Sequence, residues 1–256
     1  MVTGVLPIAL EDATKAIQAF LFSGKEYVCL MQLHSDVDHE QVRKILNEFT
    51  GEIYQKPPLR ASVKREVRKR TIYKIDPLEI DGRRVLFRVV CQAGTYIRKL
   101  CSDIGEVLGC GAHMRELRRT RAGPFTEDEN HYTLHEIQEA KRLYDEEGRE
   151  GNLREVIRPV EEAFKYIPKI YIRDSAVDAI CHGAELAIPG IVKLETGIRP
   201  KNAVAIYTLK DEVVALAEAQ LSTESIMEAE KGIAAKTRRV VMKTGTYPRE
   251  WRSRQR

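Results

Sequence analysis

The residues best placed to act on a ligand are cations. Lys56, Arg60, Lys64, Arg65, Arg68, Lys69, Arg70 and Lys74 crowd one short stretch, opposed there by Glu66 alone. The stretch surrounds and follows Pro57-Pro58, a pair that forces extended backbone and would hold the charge away from the body. Such an arm can track a phosphate backbone, with affinity that falls steeply with salt. The plainer alternative is a solvated charged face. Arg115, Arg118, Arg119 and Arg121 form a second cluster, with only Glu116 between them. On a strand, Arg119 and Arg121 face one way and Arg118 the other, so one face would meet nucleic acid while the other pairs internally. Arg249, Arg252, Arg254 and Arg256 make a third cluster in the last residues. The net charge is only +4, from 42 Lys+Arg against 38 Asp+Glu. Three basic patches on so balanced a chain imply an uneven field, the footprint of a nucleic-acid binder. The pattern points to RNA or DNA and names no reaction.

Thiol and metal chemistry are disfavoured. Cys29, Cys91, Cys101, Cys110 and Cys181 are odd in number, widely spaced and without a Cys-x-x-Cys pair. That argues against a disulfide framework or zinc finger, and for core packing in a reduced, cytoplasmic setting. No apolar run approaches the roughly 20 residues of a membrane span, and Met1–Gly4 lacks the form of a signal peptide.

The elements that must position these residues follow from periodicity. A length of 256 residues suggests one large domain or two smaller ones. Val2–Leu10 reads as a strand, Asp12–Phe20 as a short helix and Lys25–Leu33 as a strand. Asp38 with Gln41 resembles a capping box, opening a helix with Val42, Ile45, Leu46 and Phe49 on one face and Gly51 at its end. Ala61–Lys74 and Arg84–Cys91 read as strands joined through Asp81-Gly82. Gly94 opens a helix whose stripe is Ile97, Leu100, Cys101, Ile104, Val107 and Leu108. A strand over about 113–119 ends at Gly123-Pro124. Thr133 with Glu136 caps a helix to about Leu143, and Asp145–Gly151 reads as a surface loop. From Lys169 the texture changes to short β-rich runs at Ile170–Ile172, Ala203–Leu209, Glu212–Ala219 and Ala234–Met242, which suits a small all-β module or barrel.

Several short motifs occur in order: Val2-Thr3-Gly4-Val5-Leu6-Pro7, Gly24-Lys25-Glu26-Tyr27, Gln55-Lys56-Pro57-Pro58-Leu59, Gly94-Thr95-Tyr96-Ile97-Arg98, and Gly111-Ala112-His113-Met114 with Leu117-Arg118-Arg119. Together they resemble the TruB-like pseudouridine synthases. Asp174–Ala184 and Gly245-Thr246-Tyr247-Pro248-Arg249 resemble the archaeal and eukaryotic branch, the dyskerin family. The resemblance runs over nearly the whole chain. It implies an α+β fold: a mixed, mainly antiparallel synthase domain over 1–168, incomplete at its N-terminus, a PUA pseudo-barrel over 169–244 and a basic tail over 245–256. It implies isomerisation of uridine to pseudouridine in RNA without cofactor or metal, through an aspartate that attacks either the base or the sugar. Tyr27 matches the tyrosine that stacks on the target base, and Arg98 the arginine that pairs with the catalytic aspartate. Such a pairing keeps a buried carboxylate ionised and oriented. Tyr96 and Leu117 match residues that wall the pocket. Lys64, Arg65, Arg68, Lys69 and Arg70 fall in the RNA-clamping loop, with Arg118 and Arg119 as further RNA contacts, and His182, Gly183 and Ala184 match the region that meets guide RNA. The partners implied are an H/ACA guide RNA, rRNA and tRNA substrates, the particle's small core proteins and a kink-turn-binding protein, with no membrane.

The family motif runs Gly-x-Leu-Asp-Pro-x-x-Thr-Gly-x-Leu-Pro, and its aspartate would fall two positions before Met1. Asp12 lies far along the chain from the expected loop, and Asp103 sits five residues beyond Arg98 on the same helix, facing elsewhere. Three arrangements follow: a truncated portion of an RNA-guided synthase, a piece complementing a separate upstream polypeptide, or a non-catalytic RNA-binding scaffold acting through its PUA domain. The first is the expectation, with the chain alone inactive and poorly soluble because missing strands would leave an open sheet edge. The genomic sequence upstream of Met1 separates the three.

Overall fold

The computed structural model describes residues 2–57, 64–128 and 131–249. Pro58, Arg60, the first residues of the expected 61–74 strand, and Arg252, Arg254 and Arg256 lie outside them. The chain forms two compact units, Met1–Pro7 with Phe20–Val156, and Ile8–Ala19 with Ile157–Arg256.

The first unit is built on a seven-stranded sheet. Its strands are β1 (Val2–Gly4), β2 (Lys25–Leu33), β3 (Gly51–Gln55), β4 (Arg68–Asp81), β5 (Arg84–Cys91), β6 (Ala112–Ala122) and β7 (Phe125–Thr126). Their order is β1-β6-β2-β5-β4-β3, with β7 paired to β6. β1 runs parallel to β6, and every other pair is antiparallel. Helix α1 (Ile17–Phe22) precedes β2. Helices α2 (His39–Glu48) and α3 (Ile97–Val107) supply much of the core, while α4 (Leu134–Glu147) and α5 (Glu150–Val156) close the unit. Cys29, Met31 and Leu33 of β2, Val85, Phe87, Val89 and Cys91 of β5 and Leu117 of β6 alternate into one core with Val42 and Leu46 of α2 and Ile97, Leu100, Cys101 and Ile104 of α3.

β2 matches its expected bounds, and Asp38 caps α2 by accepting from the Gln41 amide. Other expectations need correction. The first strand stops at Gly4 instead of Leu10. The Val5 amide still bonds the Arg119 carbonyl, but Pro7 brings no amide for a ladder, and Leu6, Ile8 and Leu10 are exposed. Gly51 opens β3, an edge strand absent from the sequence reading. Val107 is exposed because it lies roughly 80° from the centre of the stripe on α3. The Thr133–Glu136 capping box is present, but α4 continues to Glu147 and α5 begins at Glu150, so the two helices together occupy most of the expected 145–151 loop. Their charges do not break the helices because they pair along them, as in Arg142 with Glu139 and Glu146, and Arg154 with Glu150.

The second unit holds a six-stranded sheet of β8 (Lys169–Ile172), β9 (Leu186–Ala187), β10 (Ile191–Leu194), β11 (Ala203–Tyr207), β12 (Val213–Ala219) and β13 (Ile233–Val240), ordered β10-β8-β11-β12-β13-β9. It also carries α6 (Asp174–Cys181) and α7 (Thr223–Glu228). Ile170, Ile172, Val177, Ile180, Val204, Ile206 and Val214 fill its core. The short 3-10 helix Glu11–Ala16 belongs here, where Lys243 pairs with Asp12.

Candidate active site and RNA-binding surfaces

One face of the β2–β6 pair grades from apolar to cationic. Cys29 lies opposite Leu117, and Tyr27 lies opposite Arg119. Leu117 is 8% exposed and within the core, while Tyr27 packs at the core's margin. Lys25 follows two residues before Tyr27 and is therefore on Tyr27's side of β2. On the neighbouring strand, Val89 faces Tyr27 and Cys91 faces Lys25.

Helix α3 lies over this face. The Cys101 and Cys29 sulfurs are 3.5 Å apart, which seats the helix on β2. At its N-terminal end the Thr95 hydroxyl stands beside the Cys91 thiol, whose pKa burial pushes up to about 11. Gly-Thr-Tyr-Ile-Arg thus sits at the Tyr27–Lys25 end of the strand. Tyr96, half-buried, is the N-cap residue of α3 but makes no side-chain cap. Gln55 instead brackets this residue's backbone. It is 2% exposed, its Oε1 accepts from the Tyr96 amide at 3.0 Å, and its Nε2 donates to the Tyr96 carbonyl at 3.2 Å. Gln55 thereby holds the loop that leads into Arg98. Arg98 is exposed, and no carboxylate among the described residues pairs with it.

Arg119 ties the pieces together. Its Nε donates to the Val5 carbonyl at 2.6 Å, its own carbonyl accepts from the Val5 amide at 2.8 Å, and its guanidinium lies against the Tyr27 hydroxyl. Burial pushes the Tyr27 phenol up, and Arg119 opposes that shift. Gly4, at φ +95°, pairs with Arg119, where a Cβ would come within 2.1 Å of the Arg119 carbonyl oxygen. Glycine is needed there because nothing larger fits so close a backbone approach. The segment that carries Thr3-Gly4-Val5 is thus pinned beside Tyr27.

The other basic residues differ in surroundings. Arg118 pairs with Glu127 at 2.6 Å, and Lys69 with Glu52 at 2.6 Å. Lys64 pairs with Glu66, and Arg68 donates to the Lys64 carbonyl at 3.2 Å. Arg65 is exposed. Arg70 folds over Gly94, its Nε buried without a hydrogen-bond partner among the described residues. Asp103 is tied to Lys99 on α3, and Asp12 to Lys15 at 3.0 Å. In the second unit His182, Gly183 and Ala184 close α6. The Gly183 amide bonds the Ile180 carbonyl at 2.8 Å and the Ala184 amide the Ala179 carbonyl at 3.0 Å, with Gly183 at φ +85°. This is a Schellman ending, where a left-handed residue satisfies the last carbonyls. The His182 ring lies 2.8 Å from the Asp178 carbonyl oxygen. Among the described residues no three His, Cys, Asp or Glu side chains gather as a metal site, and no helix is long and apolar enough to cross a membrane.

In the sequence Gln55 and Lys25 stand out only as members of the Gln55–Leu59 and Gly24–Tyr27 motifs. Their roles needed the fold, although a polar residue just before a Pro-Pro pair was a visible signal for Gln55.

Known proteins resemble the chain along its length. The family described as tRNA pseudouridylate synthase B C-terminal domain matches residues 98–165, the PUA domain matches 168–241, and Pus10, C-terminal, matches 6–108. A probable tRNA pseudouridine synthase B of Methanopyrus kandleri is 60% identical over 250 residues, covering 98% of this chain and 74% of that protein. Its counterpart in Pyrococcus abyssi is 54% identical over 98% of this chain and 75% of its own length. Among solved structures, a Cbf5-Nop10-Gar1 complex matches with a TM-score of 0.91 at 52% identity, over 97% of this chain and 75% of that one. An H/ACA RNP bound to a substrate RNA containing 2′-deoxyuridine matches with a TM-score of 0.88 at 50% identity, over 98% and 76%. With that identity over three quarters of its relatives' length, the chain belongs to the archaeal TruB-like pseudouridine synthases of the Cbf5 type.

Proposed function

We propose that this chain provides the target-base pocket and the RNA-docking unit of an H/ACA guide-directed pseudouridine synthase, acting on rRNA and also on tRNA. The observation that carries this reading is the shared face of Tyr27 and Leu117 beneath the helix that bears Arg98. Tyr27 gives an aromatic surface for a uracil taken out of its stack, and Leu117 and Tyr96 wall the pocket. In the isomerisation the bond from C1′ to N1 breaks, the base turns, C1′ bonds to C5, the C5 proton leaves and N1 takes up a proton, so substrate and product are isomers. Arg98, exposed and without a carboxylate partner among the described residues, is available to orient the catalytic aspartate. The motif position of that aspartate precedes Val2 and is not among the 256 residues, so these residues alone are inactive in this reading. Residues 169–244 act as the PUA domain and meet guide RNA through the His182–Ala184 turn. Nop10- and Gar1-like core proteins and a kink-turn-binding protein complete the particle.

Release of tritium from [5-³H]uridine in a guide-bound substrate tests the reading. The chain alone should give none. The same chain preceded by a Gly-x-Leu-Asp-Pro segment, assembled with guide RNA and core proteins, should turn over, and Arg98→Ala in that form should cost about a hundredfold through nucleophile misplacement. Turnover by the chain alone would refute the aspartate requirement. RNA binding without turnover by the extended form would favour the scaffold.

A further inference from the structure

Lys25, Arg119 and Arg121 gather near Tyr27, none of them in an ion pair among the described residues. Lys25 is half-buried, its ammonium held by the Phe20 carbonyl at 3.1 Å and lying 5.9 Å above the Phe20 ring. Arg119 is on the same face, opposite Tyr27; past a β-bulge Arg121 lies opposite Glu26, close enough for its charge to act on Lys25 and Cys91. Glu26, across from Arg121, accepts from the Thr120 hydroxyl at 2.8 Å and forms no ion pair with the three cations. Among the described residues no carboxylate pairs with any of the three cations. Burial, and then the charges of Arg119 and Arg121, hold the Lys25 amine below its ordinary pKa. The Phe20 carbonyl and ring hold Lys25 in the fold, but the charges of Arg119 and Arg121 act against it. Like charges this close oppose one another, and the arrangement becomes favourable when an anion is present.

We propose that Lys25, with Arg119 and Arg121, forms a subsite for the backbone phosphate adjoining the target uridine. The inference rests on Tyr27 as the base platform, and the spacing supports it. Two residues along a strand span roughly 6.6 Å, a distance comparable to that from a stacked base to its own phosphodiester. Tyr27 and Leu117 would receive the apolar face of the base, and the cationic end of the same face would receive the phosphate. Arg119 would serve both as the clasp on the Val5 carbonyl and as one wall of the subsite.

The test uses the full chain and a short single-stranded RNA with one uridine. One phosphate at a time, 5′ or 3′ of the uridine, is replaced by an uncharged methylphosphonate. One of these neutral linkages should weaken binding about tenfold and lower the salt slope by about 0.7, the loss of one phosphate contact. In Lys25→Met the same linkage should cost nothing further, and Arg121→Gln, on a more open side chain, should show a smaller version of this coupling. The chemical change in the RNA reads the contact with the protein unaltered, whatever the variants do to folding. Equal losses in wild type and both variants, or no loss at either linkage in wild type, would overturn the subsite. An abasic site in place of the uridine separates the two ideas. If it leaves affinity unchanged while the methylphosphonate effect persists, Tyr27 is not the base platform but the phosphate subsite stands.

Discussion

Replacing Gln55 should disturb α3 more than any exposed change on the same edge strand. The side chain is buried and makes two hydrogen bonds to the Tyr96 backbone, at 3.0 and 3.2 Å. The Tyr96 carbonyl keeps a second partner in the Leu100 amide, but its N–H has no other. Gln55→Ala therefore removes two bonds worth about 1 kcal/mol each and strands one donor at a further 1–2 kcal/mol, about 3–4 kcal/mol together. At about 2–4 °C per kcal/mol for a domain of this size, the melting temperature of the first unit should fall by roughly 6–16 °C. Urea unfolding followed by circular dichroism, with hydrogen exchange at the Tyr96 amide, reads both the magnitude and the place. Gln55→Glu sharpens the test. When protonated, its carboxyl can accept from the Tyr96 amide and donate to its carbonyl, as glutamine does. Burial raises its folded pKa above the unfolded value of about 4.3, so near-normal stability is present below that value and is lost as pH rises through the folded one. A loss under about 0.5 kcal/mol for Gln55→Ala, or a Gln55→Glu protein that gains stability with rising pH, would refute the role of Gln55 in holding Tyr96.

Two further outcomes are expected. The Cys91 thiol is raised from 9.0 to about 11 in the fold. Stability from its neutral form is therefore complete below pH 9 and is lost as pH climbs to about 11, on the order of 2–3 kcal/mol; Cys91→Ala should flatten that part of the stability–pH curve in urea titrations. Gly4→Ala would press a methyl group into the Arg119 carbonyl oxygen at a positive φ, so the β1–β6 pairing should open, and faster exchange of the Val5 amide, with about 1–3 kcal/mol of lost stability, should report it.

Strands with one buried face were legible because alternation is local. Lys25–Leu33 could be read from its own residues, and so could the stripe on α3 apart from Val107, which flanks it. β3 was not legible. It is a short edge strand with Glu52 and Tyr54 exposed, and its identity comes from pairing with β4. The charged run 145–151 looked like a loop because apolar residues are scarce there, yet its charges pair along the helices. At the site, Tyr27, Tyr96, Arg98 and Leu117 were reached through motif resemblance, whereas periodicity alone makes Leu117 a core residue and Arg98 a surface one. The basic residues were all visible, but whether each has a counter-charge was not, since Glu52 and Glu127 meet Lys69 and Arg118 only across strands and turns.

The amino-acid sequence by itself determined the family, the kinds of element and the residues with the right chemistry, because these depend on side-chain type and on spacing within a few residues. It also showed that the motif's aspartate is not among these residues. Only the tertiary structure decided which of those residues work together. Gln55 holds the residue that begins a helix 41 residues further along the chain, Arg119 clasps Val5 across 114 residues, and Lys25 comes under the charges of two arginines without an ion-paired carboxylate. Each of these depends on strand register and on what burial leaves unpaired. Those quantities belong to contacts between distant segments, and no local pattern encodes them.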